Sequence, residues 1–269
     1  MRPSQWSRTV VLTVLTICSG ASAVLGQVPT TVYQAVLGEP NQPTAEVSTD
    51  EFRRLLAERV AFVFDARPHA EFAISHIPGA LNVAAKPGVP MSAYVSDVAE
   101  IGRLVRGDHN AKVVLYCNGP FCGKSKRLAD ELLAAGYTEV RRYQLGIPVW
   151  RALGGVTEIE PEGLHYVVRN DMTAVLIDTR DTAAYAAGTL PNARHVPRSG
   201  VLEGKDVGEV KRAKDDGRLP MDDHNTRIIV FGGDAGTARY VAEAVAREAF
   251  DNVSYFAGTF QQAQAALQP

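Results

Sequence analysis

One stretch of the sequence occurs twice, and this repeat limits the possible folds more than any other feature. Residues 65–83 (DARPHAEFAISHIPGALNV) align with residues 178–196 (DTRDTAAYAAGTLPNARHV) at an offset of 113 positions. Asp, Arg, an aromatic residue, Pro, Ala and Val recur at matching places in both copies. A segment repeated at this spacing indicates two copies of one structural unit. The length of 269 residues also suits two domains of about 110 residues each.

The repeat extends through a buried strand and the helix that follows it. Residues 112–116 (KVVLY) match residues 227–231 (RIIVF), and both runs are mostly apolar. A glycine-containing loop and a helical pattern follow each run. Strands that alternate with helices predict an α/β fold with a mainly parallel sheet. We therefore expect tandem domains over residues 47–154 and 163–269, an extended lead-in over 24–46 and a linker over 155–162.

The N-terminus has the pattern of a secretory signal peptide. Residues 1–23 (MRPSQWSRTVVLTVLTICSGASA) combine two arginines, a short apolar core and small residues before the predicted cleavage site. Cleavage is expected after Ala23 or Gly26. The apolar core is too short to span a bilayer. We therefore expect secretion across the inner membrane into the periplasm, with no membrane span in the mature protein.

The charge distribution gives no sign of a nucleic-acid partner. The 28 basic and 30 acidic residues are interspersed along the chain. The net charge of −2 would become about −4 when the leader and its two arginines are removed. No cluster of basic residues marks a phosphate-binding surface. The sequence therefore predicts no nucleic acid among the partners, and it identifies no protein partner.

The loop between the first repeated strand and its helix carries two cysteines. Cys117 ends the strand, Cys122 lies inside the loop, and Lys124 stands beside the helix start. The first turn of a helix has unpaired N–H groups and a partial positive charge. Together with the N–H groups of a curled loop, this charge favours a thiolate and attracts anions. Cys117 is therefore the predicted nucleophile, and its predicted substrate is an anion.

Four motifs together resemble the rhodanese (thiosulfate sulfurtransferase) family. They are Asp65-x-Arg67, the HIPGA turn of residues 76–80, Cys117 at a strand end, and residues 145–150 (LGIPVW). The resemblance covers about residues 47–267. It implies a five-stranded parallel sheet with helices on both faces in each domain. It also implies that the reaction needs neither a metal nor an organic cofactor.

The same resemblance implies the chemistry. Cys117 would take a sulfane sulfur from a small anionic donor such as thiosulfate, hold it as a persulfide, and pass it to a thiol or another nucleophilic acceptor. In the family, N–H groups of the loop that follows the cysteine stabilise the negative charge on the terminal sulfur. The corresponding substrate-binding residues are Asn118, Gly119, Pro120, Phe121, Cys122, Gly123, Lys124 and Ser125.

The loop departs from the commonest family pattern in its length. Cys117 and Ser125 are 8 positions apart, which is longer than usual in the family. Phosphatase and arsenate-reductase relatives have a widened loop that ends on Arg, whereas the nearest cation here is Lys124. This difference disfavours phosphatase activity, because the point charge of a lysine does not replace the fork of a guanidinium.

Cys122 is the second departure, and it leaves three interpretations open. It resolves a persulfide or sulfenate on Cys117, it forms a structural disulfide, or it is a packed residue. In an oxidising compartment, two neighbouring thiols make a disulfide possible. The alternatives to sulfur transfer are therefore a periplasmic thiol–disulfide oxidoreductase that uses Cys117 and Cys122, and a non-enzymatic sulfur-carrier or partner-binding module.

The second copy has no thiol in the equivalent loop. Gly232 stands where Cys117 stands in the first copy, and Asp234 adds a negative charge nearby. We expect this domain to lack the chemistry of the first. Its role is either to pack beside the active cleft or only to stabilise the chain.

Other polar residues of the repeat are predicted to be structural. An Asp-x-Arg pair occurs in both copies, at Asp65 and Arg67 and again at Asp178 and Arg180, which predicts an internal ion pair in each domain. His76 lies in a predicted turn and is expected to be structural. The spacing of the remaining histidines predicts no metal site.

Overall fold

The structure is a computed structural model that describes residues 31–268. The predicted signal peptide, residues 1–23, lies outside the described residues.

The first half contains β1 (Ala45–Glu46), α1 (Thr49–Glu58), β2 (Phe62–Asp65), α2 (His69–Ile74), β3 (Leu81–Asn82), α3 (Asp97–Leu104), β4 (Val113–Tyr116), α4 (Lys124–Ala134), β5 (Val140–Tyr143) and α5 (Gly146–Ala152). The second contains β6 (Thr157–Ile159), α6 (Pro161–Asn170), β7 (Val175–Asp178), α7 (Thr182–Ala186), β8 (Arg194–His195), α8 (Gly208–Asp215), β9 (Ile228–Phe231), α9 (Ala235–Ala246), β10 (Val253–Phe256) and α10 (Phe260–Ala266).

The strands form two five-stranded sheets with the same topology. The order is β1-β5-β4-β2-β3 in the first sheet and β6-β10-β9-β7-β8 in the second. All pairs within the two sheets are parallel. The predicted fold of two tandem α/β domains is therefore confirmed.

Helices cover both faces of each sheet because the central strands are buried on both sides. In β4, Val113 and Leu115 pack on one face, against α3 and α4. Val114 and Tyr116 pack on the other face, against α1 and α5. Successive side chains of a strand point to opposite faces, so an unbroken apolar run is what such a strand requires. The strand β9 repeats this arrangement in the second domain.

The segment predicted as a linker is part of the second sheet. Within residues 155–162, Thr157–Ile159 form β6, and α6 begins at Pro161. The side chains of Thr157 and Ile159 are buried, and β6 pairs with β10, so the chain passes directly from one domain into the other. Similarly, Ala45–Glu46 of the predicted lead-in form β1, which pairs with β5. Both edge strands are too short to be recognised from their sequence pattern.

The two domains contact each other through α2 and α6. A β-carbon on Gly163, at the start of α6, would lie 2.0 Å from the carbonyl oxygen of Ala73 in α2. The backbone of His76 pairs with that of Glu158 in both directions, with N···O distances of 2.9 and 2.8 Å. The domains therefore pack closely enough for their backbones to form hydrogen bonds.

Among the helices of residues 31–268, none has both the length and the apolar character needed to cross a bilayer.

Candidate active site around Cys117

Cys117 lies where the central strand of the first sheet ends. It follows Tyr116, the last residue of β4, and the loop of residues 117–123 leads to α4 at Lys124. The carboxyl ends of the strands in an open parallel sheet are the usual place for a ligand site. Cys117 is nevertheless 2% exposed, so its sulfur faces the protein interior beneath the loop.

The corner between β5 and α5 holds the loop in place. Gly146 has a φ of +66°, and a β-carbon there would lie 2.4 Å from the Gly119 nitrogen and 2.5 Å from the Cys117 oxygen. The N–H of Ile147 donates to the Cys117 oxygen at 3.1 Å. Gln144 adds a hydrogen bond from its side-chain amide to the Pro120 oxygen at 3.3 Å. Only glycine permits both the backbone conformation and the close approach at position 146.

The thiol of Cys117 is buried and hydrogen-bonded. Its sulfur lies 3.3 Å from the Cys122 carbonyl oxygen and 3.3 Å from the Ser125 hydroxyl. Burial raises the pKa of Cys117, and the Ser125 hydroxyl and N–H only partly offset this effect. The charge at the helix start, taken alone, predicts a lowered pKa for Cys117. Desolvation outweighs the helix because the sulfur is covered by the loop.

Cys122 is the more acidic of the two thiols. Burial opposes its ionisation, but the neighbouring Cys117 thiol and the backbone N–H groups of Lys124 and Asn118 lower its pKa. The Cys122 sulfur therefore lies among the N–H groups that the sequence assigns to an anionic substrate. Both cysteines are free thiols in the structure.

Glu71 brings a negative charge to the edge of the loop. Its carboxylate accepts a hydrogen bond from the Asn118 side chain at 2.6 Å and lies 3.6 Å from the Lys124 ammonium. The Glu71 carboxylate therefore partly neutralises the charge of Lys124, the cation that is expected to attract the substrate. Phe121 at the tip of the loop is fully exposed. Sequence analysis missed Glu71 because it lies on α2, far from the loop in the chain.

The structure brings the predicted site residues together in one loop. Cys117 and Ser125 are buried and lie 3.3 Å apart through their side chains, whereas Cys122 is partly exposed. The predicted substrate-binding residues Asn118, Gly119, Pro120, Phe121, Cys122, Gly123, Lys124 and Ser125 all belong to this loop or to the first turn of α4.

The corresponding loop of the second domain is built differently. A β-carbon on Gly232 would lie 2.3 Å from the Thr179 hydroxyl oxygen. Asp234 precedes α9, and its carboxylate accepts the Thr237 N–H at 2.8 Å. This hydrogen bond lowers the pKa of Asp234. In the second domain, a carboxylate therefore accepts a hydrogen bond from an N–H group at the helix start. In the first domain, the N–H groups at the helix start lie beside the two thiols.

The Asp-x-Arg pairs form internal ion pairs, as the sequence predicts. In the first domain the Arg67 side chain donates to both oxygens of Asp65, and both residues are buried. Arg180 and Asp178 repeat this geometry in the second domain. His76 stacks on Phe72, which is one of its core contacts, and burial lowers the pKa of His76 to about 4.

Comparison with known proteins identifies the two repeated units. A family model described as "Rhodanese-like domain" matches residues 48–153 and 166–266. The HTH-type transcriptional regulator Rv0324 of Mycobacterium tuberculosis is 34% identical over 119 residues, which are 44% of this chain and 46% of the regulator. This chain therefore spans less than half of that relative.

Solved structures show similarity at lower identity. A thiosulfate sulfurtransferase from Pseudomonas aeruginosa is 20% identical with a TM-score of 0.36, over 84% of this chain and 43% of that one. Wild-type EanB is 15% identical with a TM-score of 0.38, over 90% of this chain and 62% of EanB. The assignment rests on the two matched domain segments and on the duplicated five-stranded fold. The chain belongs to the rhodanese-like family.

Proposed function

We propose that the protein is a sulfurtransferase that carries a sulfane sulfur as a persulfide on Cys117. One observation carries the proposal: a buried thiol lies at the carboxyl end of the central strand, in the loop that leads into α4. Membership of the rhodanese-like family supports a sulfurtransferase type of reaction. The second domain, without a thiol at Gly232, would not take part in the transfer.

The reaction has two displacement steps. The Cys117 thiolate attacks the outer sulfur of a small anionic donor such as thiosulfate, and a new S–S bond forms. The donor's S–S bond breaks, and sulfite leaves with the electron pair. A thiol or another nucleophile then attacks the outer sulfur of the persulfide, and the Cys117 thiolate leaves. Covalent catalysis divides one difficult transfer into two easier ones.

Cys122 lies where it would take part in the first step. The Cys117 thiol lies 3.3 Å from the Cys122 carbonyl oxygen, and Cys122 has the lowered pKa of the pair, so a Cys122 thiolate would take the proton that Cys117 must lose. The N–H groups of Asn118 and Lys124 now favour the thiolate form of Cys122 and lower its pKa. The same donors would stabilise the charge on the outer sulfur of a persulfide once Cys122 moves aside.

A second candidate function is thiol–disulfide exchange between Cys117 and Cys122. The observation that favours it is the closeness of the two cysteines: both are free thiols, and the Cys117 sulfur lies 3.3 Å from the Cys122 carbonyl oxygen. In this reaction the two cysteines lose two protons and two electrons and form an S–S bond, while a partner disulfide is reduced to two thiols. A non-enzymatic sulfur-carrier or partner-binding module is the remaining alternative.

Enzyme assays and intact mass separate these functions. For sulfur transfer, we expect turnover of thiosulfate with cyanide that is lost in Cys117→Ser and partly retained in Cys122→Ser. The mass should increase by one sulfur atom after incubation with thiosulfate. A loss of two hydrogens instead supports thiol–disulfide exchange. Absence of turnover with every sulfane donor tested would contradict sulfur transfer, and a binding module would lose nothing when Cys117 is replaced.

We also propose that residues 1–23 direct the protein to the periplasm. The support is the sequence pattern of two arginines, an apolar core and small residues before Ala23. N-terminal sequencing of the protein isolated from its host should find a mature chain that begins at Val24 or Gln27. A chain that retains Met1 in the cytoplasm would contradict this localisation.

A further inference from the structure

Three side chains of metal-binding type meet where the two domains touch, away from the Cys117 loop. His76 comes from the turn after α2, whereas Glu158 and Glu160 come from β6 and the residue after it. One donor atom from each residue lies within 4.8 Å of the donor atoms of the other two. The Nε2 atom of His76 is 3.9 Å from the Glu160 carboxylate.

The backbone of both domains fixes this arrangement. His76 and Glu158 are paired through two backbone hydrogen bonds, and the Glu160 N–H donates to the Ala73 oxygen at 2.8 Å. Side chains two positions apart on a strand project to the same side. Glu158 and Glu160 therefore both face His76, while Ile159 between them is buried in the core of the second domain.

The ring of His76 is oriented as in known metal ligands. Its Nδ1 atom lies 3.1 Å from the Phe72 carbonyl oxygen, which can only accept, so Nδ1 carries the proton. The other nitrogen, Nε2, then has a free lone pair and makes no hydrogen bond to any residue in the described part of the chain. His76 is 3% exposed. Histidines that bind metals usually have this type of second hydrogen bond, which fixes both the tautomer and the ring.

The two carboxylates lack a cationic partner of their own. Within residues 31–268, no lysine or arginine forms a salt bridge with Glu158 or Glu160, and the His76 imidazole lies 3.9 Å from Glu160. The charges of Arg239 and Lys86 act on Glu158 and Glu160 only from beyond salt-bridge distance. The Tyr255 hydroxyl donates to Glu158 at 3.1 Å and helps to orient it. Two partly buried carboxylates close together favour the binding of a cation, which offsets their repulsion.

We propose that His76, Glu158 and Glu160 bind a divalent transition-metal ion, and that Zn²⁺ is the best match. Zn²⁺ is bound by imidazole nitrogen and carboxylate oxygen atoms, and sites with three protein ligands keep a fourth position open. A cavity of about 410 Å³ lies beside these residues and leaves room for a water or a small ligand at that position. Ligand atoms of a tetrahedral Zn²⁺ site are about 3.3 Å apart, so the carboxylates must move closer to His76. Glu160, whose side chain is 36% exposed, has room to do so.

The binding experiment must exclude the two thiols, which are also zinc ligands. The chain that begins at Val24, which lacks Cys18, is prepared with Cys117→Ser and Cys122→Ser, treated with a chelator, dialysed, and titrated with ZnCl₂ by calorimetry. We expect one Zn²⁺ per chain. Adding Glu160→Gln or Glu158→Gln should weaken the affinity at least about tenfold, because each change removes a ligand. Glu162→Gln is the matched control, since Glu162 pairs with His69 outside the cluster, and it should leave the affinity within about twofold.

Two further measurements keep the test decisive. Zn²⁺ should raise the unfolding temperature of the double-serine protein but not of its Glu160→Gln variant. The first equivalent of Co²⁺ added to the chain that begins at Val24, with Cys117 and Cys122 retained, should give no thiolate-to-metal charge-transfer band. The proposal is overturned if the double-serine protein binds no Zn²⁺, if both glutamine variants retain its affinity, or if that band appears. His76→Gln would also remove a ligand, but it changes a buried side chain. Glu160 is half-buried, so Glu160→Gln still tests the metal site even if His76→Gln does not fold.

Discussion

The two copies of the fold share a strand and a helix but differ in what lies at the start of the helix. In the first copy, Gly123 precedes α4 and has no side chain to accept the helix N–H groups. Backbone N–H groups there, of Ser125 and Lys124, favour the thiolate forms of Cys117 and Cys122. In the second copy, the Asp234 carboxylate accepts the Thr237 N–H. The helix start thus lies beside a pair of thiols in the first domain, and a carboxylate caps it in the second.

The space below the loop also differs between the copies. Ala66 follows β2 in the first domain, and Thr179 occupies the matching position after β7. The Thr179 hydroxyl donates to the Phe231 oxygen at 3.0 Å and lies where a side chain on Gly232 would begin. A cysteine cannot be introduced at position 232 without displacing that hydroxyl. The two domains therefore differ at several coupled positions and not only by the presence of a thiol.

The largest difference we expect between the domains concerns the glycine that supports each loop. Gly146→Ala places a β-carbon against the backbone of Gly119 and Cys117 and requires a positive φ. Gly258 holds the matching position after the last strand of the second domain, and the atoms nearest to a β-carbon there belong to the side chains of Phe256 and Gln262. We expect Gly146→Ala to lower the free energy of unfolding by about 3 kcal/mol and Gly258→Ala by about 1 kcal/mol, because side chains can move and a tightly packed backbone cannot. Urea unfolding measures both values.

Each glycine variant serves as the control for the other. Both changes add one methyl group at the start of a helix or turn after the last strand of a domain. Sulfur transfer should fall in Gly146→Ala even at temperatures where the variant is folded, because the loop over Cys117 must shift. Equal losses of stability in the two variants would contradict the view that only the first loop depends on backbone contact with its glycine.

The fold and the position of Cys117 could be predicted from the sequence because both follow from local patterns. The repeat at Asp65 and Asp178 and the apolar runs before Cys117 and Gly232 gave the domain number, the sheet type and the place of the loop. The short edge strand β6 could not be recognised, because its three residues carry too little periodicity.

The order of the two thiol acidities could not be predicted from the sequence. The helix start is visible as a pattern, but the burial of Cys117 depends on how the loop packs against α5. The cluster of His76, Glu158 and Glu160 was missed for a similar reason. Its members belong to different domains, and no spacing along the chain shows that they meet.

The smallest effect that we predict is the order in which the two thiols react with an alkylating reagent. The second domain has no thiol at the matching position, so in the mature chain the reaction reports the first loop alone. Cys122 has the lowered pKa and Cys117 the raised pKa. Because the thiolate is the reactive form, iodoacetamide at neutral pH should modify Cys122 at least about tenfold faster than Cys117. Peptide mapping by mass spectrometry after short exposures measures both rates.

The pH dependence of this reaction tests the physical cause. The rate at Cys122 should reach its half-maximum at a lower pH than that of an ordinary thiol, and the rate at Cys117 at a higher pH, since each follows the fraction of thiolate. Cys117→Ala removes the neighbouring thiol that helps to lower the pKa of Cys122 and should shift the Cys122 profile to higher pH. Faster modification of Cys117 in the wild-type protein, or no shift in the variant, would show that the helix start controls Cys117 more strongly than its burial does.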